Sequence, residues 1–292
     1  MVEEAIRKAD VLIEALPYIR SFRNKIVVIK YGGSAMTDVD KRKIILQDIE
    51  FMYSVRMRPV LVHGGGPFIS EKMRQAGYRP EFIDGIRVTD KKAMEIVAEA
   101  LTEINTELVH RLKRLGVSAK GTAKIDLPFI KVRKYKPNKK IDLGYVGKIV
   151  AIDTGPIKEI INEHAIPVIV PIGVDETGAL YNVNADDAAS EVAYYLKAEK
   201  LVLLTDVKGI MRDPGDSETL ISTLNTTEAE QLIARKIIQQ GMIPKVRACF
   251  RALEGEVRKT HIIDGRLLHS LLLEIFTDKG VGTEIVRTPE EK

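Results

Sequence analysis

Hydrophobic positions along this chain follow two rhythms that take turns. Short uninterrupted apolar runs, Ile26–Ile29, Val60–Val62, Val168–Val170, Leu201–Leu204 and His261–Ile263, read as strands buried on both faces. Between them, apolar residues recur every three or four positions, the period of a helix with one buried stripe. Thr37 or Asp38 caps a helix carrying Ile45, Ile49 and Met52, and another follows Pro67 and ends at Gly77. Further helices are predicted over Met94–Leu115, Gly155–Glu163, Asp186–Lys197 and Lys245–Arg258, with a last helix and strand after His261. Thr227 and Glu230 have the spacing of a capping box for one more. Strands alternating with helices predict an α/β fold: a mainly parallel sheet sandwiched between helices.

Two stretches depart from that rhythm. From Gly116 to Asp153, short apolar segments with glycine and proline lack a helical period and predict β-hairpins; the turn at Asp175–Gly178 is of the same kind. The residues before Lys25 form an amphipathic helix with Ile6, Ala9, Ile13 and Leu16 on one face, which Pro17 is expected to end or kink. That face must pack on something, either a second subunit or its own lobe.

Composition narrows the class. The 292 residues include 45 Lys+Arg and 41 Asp+Glu, a net +4 that gives no basic stripe for nucleic acid. The most basic stretch, Lys131 to Lys140, reads as a solvated hairpin. Cys249 is the single cysteine, so disulfides and thiolate clusters are excluded, and its helical spacing with Val246, Phe250 and Leu253 places it in the core. The histidines lack metal-ligand spacing, so no protein-held metal is expected. No apolar run approaches the roughly 20 residues of a membrane span. Glu3 and Glu4 with no apolar stretch behind them argue against a signal peptide, and a cytoplasmic enzyme is expected.

Candidate chemistry lies where ligands of open parallel sheets bind, beyond the carboxyl ends of the strands. Lys30-Tyr31-Gly32-Gly33-Ser34 places an ammonium and two glycines at such an end. Glycine lets backbone N–H groups approach an anion, although an ordinary turn has the same signature. His63-Gly64-Gly65-Gly66-Pro67 repeats the device before a proline that starts a helix. Two such bends suit a ligand with several negative groups, such as a carboxylate being joined to a phosphoryl chain. His63, on the strand flank, is open to a structural or a catalytic reading. Asn182 to Asp187 brings amides and carboxylates to a third strand end, where Asp186 has the alternative of capping a helix. Leu204 to Ile210 is a fourth, polar and glycine-containing, and Gly241-Met242-Ile243-Pro244-Lys245 sets a lysine at a helix start. There is no G-x-x-x-x-G-K-[ST] loop, no protein-kinase signature and no G-x-G-x-x-G after a strand. Phosphoryl transfer needs alignment and positive charge, which two lysines and glycine N–H groups supply.

These segments, with Gly85-Ile86-Arg87-Val88-Thr89, resemble in order and spacing the amino acid kinase family over nearly the whole chain after its first helix. Within it the likeness is to members that phosphorylate N-acetyl-L-glutamate with ATP and Mg²⁺, giving N-acetyl-L-glutamyl 5-phosphate for arginine synthesis. The resemblance implies a β-hairpin substrate lid on the sandwich, with residues 1–24 as an oligomer-contact helix, 25–199 as a substrate lobe and 200–292 as a nucleotide lobe. It makes Lys30 and Lys245 stabilisers of the transferring phosphoryl group, with Asp186 orienting both. Gly32 and Gly33 would hold phosphates, and Gly64 and Gly65 would donate to the substrate carboxylate. Arg87 would pair with the α-carboxylate and Asn182 with the acetamido end. Thr205, Asp206, Gly209, Ile210 and Met242 would surround ATP, whose Mg²⁺ would be held mainly by the phosphates.

The arginine-inhibited members of the family resemble this chain at both ends, in the first helix and in His261 to Thr283. That implies a hexamer, a trimer of dimers, with arginine as effector near Tyr18, His261, Glu274 and Gly280; alternatively Glu274 is a surface residue of an amphipathic helix. One departure is local: where many such kinases carry Ser-Gly-Lys-Asp-Gly, this chain has Ala123-Lys124-Ile125-Asp126-Leu127. Rival readings are a kinase of another N-blocked acidic amino acid, of the N-acetylaminoadipate type, and a catalytically silent amino-acid-binding regulator.

Overall fold

The computed structural model describes residues 2–123, 129–137, 141–213, 215–239, 241–277 and 280–289. The altered loop at Lys124–Leu127 and the end of the basic stretch at 138–140 lie outside them. Helix α1 (Val2–Phe22) precedes β1 (Ile26–Tyr31), a 3-10 turn (Gly33–Met36), α2 (Val39–Ser54), β2 (Arg58–His63) and α3 (Gly66–Gln75). A small hairpin, β3 (Phe82–Ile83) and β4 (Ile86–Arg87), leads to the long α4 (Lys91–Arg114). Then come β5 (Ala119–Gly121), β6 (Ile130–Lys134), β7 (Gly147–Ile152), α5 (Gly155–Asn162) and β8 (Ile166–Ile169). Next are β9 (Ile172–Val174), β10 (Leu180–Asn182), α6 (Ala185–Leu196) and β11 (Lys200–Thr205). The chain continues with β12 (Thr223–Asn225), α7 (Thr226–Ala234), α8 (Ile243–Glu254), β13 (Lys259–Asp264), α9 (Ser270–Ile275) and β14 (Thr283–Val286).

Eight strands form the main sheet in the order β12-β14-β13-β11-β1-β2-β8-β5. From β13 to β5 all neighbours are parallel; β14 runs antiparallel to β13, and β12 runs parallel to β14. Alternation along the central strands builds a core on each face. Val28, Val60, Val62, Leu201 and Leu203 point into one with α5, α6 and α8, while Val27, Ile29, Leu61, Val202 and Leu204 point into the other with α2, α4 and α9. The expected sandwich is what forms. Cys249 is fully buried in the first core, and burial pushes its thiol up to about 12. The sheet crosses position 200 without a break, because β1 is hydrogen-bonded to β11 along its length. A second sheet, β10-β9-β6-β7, contains the hairpin expected between Gly116 and Asp153.

Local corrections have simple causes. Ala119–Gly121 is an edge strand of the main sheet beside β8 rather than part of a hairpin. The capping box is built by Asn225 and Glu228, one turn-fraction earlier than Thr227 and Glu230, because Asn225 ends a strand and its amide oxygen reaches the Glu228 N–H. Pro17 does not end α1, which runs through it to Phe22. The carbonyl a proline leaves unpaired one turn back belongs to Ile13, a residue that is 67% exposed and so open to solvent. Ile6, Val11, Leu12 and Ile13 are all exposed, so α1 does not bury its apolar residues on its own lobe. Only its base docks, where Phe22 packs on the second core and lies 5.1 Å below the Lys200 ammonium.

Candidate active site

Strand β1 is central, so its last residues emerge between the ends of β2 and β11 (Lys30 pairs with Val62 and Leu203, Tyr31 with His63). Lys30 is buried, and its ammonium folds back over Gly32; a Cβ there would lie 2.9 Å from Nζ. A side chain at residue 32 would displace the ammonium. Lys30 Nζ sits 2.9 Å from Oδ1 of Asp186, an ion-pair distance at which no aligned hydrogen bond closes. Lys245, in the first turn of α8 after Pro244, hydrogen-bonds the other oxygen, Oδ2, at 2.8 Å. Burial pushes the Asp186 carboxyl up, but the two ammonium groups outweigh it and hold the pKa at about 2. Asp186 is therefore an anion bridging two cations. It is not the cap of α6: Asn184 is, accepting from the N–H groups of Asp186 and Asp187.

The two glycine bends face each other, with a Cβ on Gly32 meeting the Gly64 Cα at 3.7 Å. Their donors are not equivalent. The Gly64 N–H is already bonded to the Tyr31 carbonyl at 2.7 Å, so the expectation that it serves a ligand is corrected. Gly64 and Gly65 are both buried, and among the described residues nothing accepts from the N–H of Gly65 or of Gly32. Gly65 is glycine for packing as well: a Cβ would come within 2.9 Å of Ile104 and Leu101 on α4. His63 is fully buried, and burial lowers its pKa to about 4 against the opposing bond to the Gly64 carbonyl, so it is neutral.

Arg87 leaves β4 and crosses to α3. It donates to the Gly66 carbonyl at 3.0 Å and to Ser70 Oγ at 2.8 Å, and its guanidinium lies 4.6 Å over the Phe82 ring. It is 7% exposed, and among the described residues no carboxylate pairs with it. Burial, reinforced by Arg74, lowers its pKa to about 10, which still leaves it charged at neutral pH. Asn182 on β10 reaches the same wall through Thr89, whose hydroxyl accepts from the Asn182 amide at 3.3 Å and donates to the Arg87 carbonyl.

On the far side of β1, Gly33 has φ +70 and approaches Asp206 so closely that a Cβ would meet its carboxylate at 2.6 Å. Thr205 ends β11 and ties the following loop through its hydroxyl to the Val207 N–H. Gly209, φ +152, lies against Thr283, which also binds the Ile210 N–H. Ile210, expected beside ATP, has its side chain buried in the core. Met242 stands half-buried at the start of α8. Among the described residues no three His, Cys, Asp or Glu side chains form a metal cluster.

The four residues expected around an effector are only partly assembled. Glu274 is buried, not a surface residue: His261 bonds one oxygen at 2.5 Å, and the N–H groups of Val281 and Gly282 donate to the other. Gly280, φ +60, leaves room for that carboxylate. Tyr18 lies on α1, one turn before Phe22. Sequence reasoning missed Lys200, buried between Phe22 and this cluster with its pKa lowered by burial to about 8, because a lysine opening a strand looks like a solvated end. It also missed Asn105, whose signal is an amide among Leu101, Ile104 and Leu108 on the apolar stripe of α4.

A model of the amino acid kinase family matches residues 25–264, and this places the fold in a class of small-molecule kinases. An acetylglutamate kinase from Symbiobacterium thermophilum is 48% identical, over 98% of this chain and 100% of its own. Another, from Moorella thermoacetica, is 49% identical over 98% of this chain and 99% of its own. The chain belongs to the amino acid kinase family and, within it, to the acetylglutamate kinases. Among solved structures, the N-acetylglutamate synthase of Neisseria gonorrhoeae, complexed with coenzyme A and N-acetyl-glutamate, superposes with a TM-score of 0.86 at 28% identity. It is matched over 96% of this chain but only 64% of its own. A carbamate kinase from Giardia lamblia shares the fold, with a TM-score of 0.69 at 19% identity over 91% of this chain and 99% of its own. Among the described residues no helix is long and apolar enough to cross a membrane.

Proposed function

We propose that the protein transfers the γ-phosphoryl group of ATP to the side-chain carboxylate of N-acetyl-L-glutamate, giving N-acetyl-L-glutamyl 5-phosphate in arginine biosynthesis. The observation that carries this reading is the Lys30–Asp186–Lys245 cluster, two ammonium groups from distant parts of the chain held on one carboxylate at the ends of parallel strands. In the reaction a carboxylate oxygen attacks the γ-phosphorus, the bond to the β,γ-bridging oxygen breaks, and ADP leaves with that electron pair; no proton is moved. Lys30 and Lys245 neutralise charge on the migrating group from two sides, and Asp186 keeps both in place. The Gly32 and Gly65 N–H groups are oriented donors for phosphate and acceptor carboxylate. Arg87, a buried cation lacking a carboxylate of its own, suits the substrate α-carboxylate, and Asn182 suits the acetamido group. Residues 25–199 thus act as the substrate lobe under the β3–β4 lid, and residues 200–292, with Thr205 to Gly209 and Met242, as the nucleotide lobe. Mg²⁺ would reside on the phosphates, supplying further positive charge there.

A coupled ADP-release assay with N-acetylglutamate, glutamate and N-acetylaminoadipate tests this. N-acetylglutamate is expected to support turnover at least about 10²-fold above glutamate, because removing a partner from a site built for it leaves buried polar groups unpaired. A preference for N-acetylaminoadipate would assign the altered loop at 123–127 to substrate length, and no ADP release with any acceptor would return the chain to a silent binding role.

The same reading includes arginine as feedback inhibitor. The buried Glu274 carboxylate is an anionic group that suits a guanidinium in charge, and the exposed apolar residues of α1 suit helix-to-helix contact in a hexamer of three dimers. Millimolar arginine is expected to inhibit the full chain, and deletion of residues 1–20 to leave a dimer by light scattering. No inhibition, or an unchanged assembly after the deletion, would remove the corresponding part.

A further inference from the structure

The residue before the second glycine bend does something that the proposed reaction does not yet use. His63 is wholly buried between α4 and the end of β2, and both of its ring nitrogens are engaged. Asn105, on α4, has two amide hydrogens. One goes to the Val168 carbonyl at 2.8 Å, and the other meets His63 Nε2 at 3.2 Å. A donor facing Nε2 leaves the ring proton on Nδ1, which then donates to the Gly64 carbonyl at 2.9 Å. The Gly64 N–H is itself fixed on Tyr31, so this glycine is clamped through both of its polar groups.

The consequence follows from peptide geometry. In a trans peptide the carbonyl and the next N–H point in opposite directions, and the described residues contain no cis bond. Drawing the Gly64 carbonyl toward His63 and α4 therefore turns the Gly65 N–H the other way. Gly32 and Ala185 stand beside this peptide, each 3.7 Å from where a Cβ on Gly64 would lie. The Gly65 donor is buried and has no acceptor among the described residues, an arrangement that costs free energy unless a ligand completes it. We infer that Asn105 and His63 are positioning residues that set the Gly64–Gly65 peptide so that the Gly65 N–H is aimed, before substrate arrives, at an oxygen of the reacting groups. The burial that keeps His63 neutral serves this, since a protonated ring would turn a second donor toward Asn105.

The inference rests on the phosphotransfer reading for its target, but its test is separable. An asparagine amide nitrogen reproduces the place of Nδ1, whereas a glutamine amide reproduces that of Nε2. His63→Gln is expected to lower kcat about 10- to 100-fold, a little less than the loss of an oxyanion donor outright, with the KM for ATP little changed. His63→Asn is expected to recover most of that loss. Equal losses in the two variants, or full kcat in His63→Gln, would overturn it. Nitrogen NMR of the wild-type ring needs no substrate: a neutral ring protonated at Nδ1 is expected, and an Nε2–H tautomer overturns the inference even if the kinase assay succeeds. Failure of the wild type to release ADP would instead count against the reaction.

Discussion

Replacing Lys245 with alanine should lower turnover by about 10²–10³, the loss of about 3–4 kcal/mol typical for one donor aimed at developing charge. Lys30→Ala should do at least as much, because Lys30 is the more deeply buried of the two and no other cation is seen on the Oδ1 side of Asp186 among the described residues. The fall should appear in kcat, with a smaller change in the KM for ATP, since the charge neutralised is greatest in the transition state. Steady-state kinetics of the purified variants checks this. Near-normal kcat in either one removes its assigned role.

The second large effect is on stability as well as rate. Asp186→Asn removes the one negative charge between two ammonium groups and leaves them facing each other in a buried place. Breaking a buried ion pair by deleting one partner costs about 3–5 kcal/mol, which for a chain of this size lowers Tm by roughly 10 °C. The pH dependence has a definite sign. The carboxyl is held at about 2, below its ordinary value, so its contribution is complete above about 4 and is lost as the pH falls toward 2. The variant should show no such loss from this group, and its turnover should fall with that of the lysine variants. A thermal melt within a degree or two of wild type would show that Asp186 does not hold the two lysines together.

Much of this arrangement is legible in the sequence, for reasons tied to particular residues. A lysine followed by two glycines at the end of an apolar run can hardly be anything but an emergent strand end, and the structure puts Lys30 and Gly32 there with the ammonium folded over the glycine. What pattern cannot report is which partner a group finds across the fold. Gly64 and Gly65 look alike in sequence, yet one N–H is taken by Tyr31 and the other is left open. Ile210 sits in a motif expected to border a nucleotide but turns its side chain into the core. Asn225 and Thr227 both stand three residues before a glutamate, and strand pairing with β14 decides between them. Pro17 breaks helices in principle, yet α1 runs through it, and the residue whose carbonyl it leaves unpaired, Ile13, is exposed. Helical periodicity alone would place the Glu274 carboxylate on the surface; its burial depends on a loop seven and eight residues further on returning its N–H groups.

The central claim is geometric, and a crystal structure with a non-hydrolysable ATP analogue and N-acetylglutamate tests it most directly. The ammonium nitrogens of Lys30 and Lys245 should both lie within hydrogen-bonding reach, about 3 Å, of oxygens on the γ-phosphoryl group or its bridge, with the acceptor carboxylate in line behind it. A complex in which either lysine points away from that group, into a cavity of its own, would contradict the account.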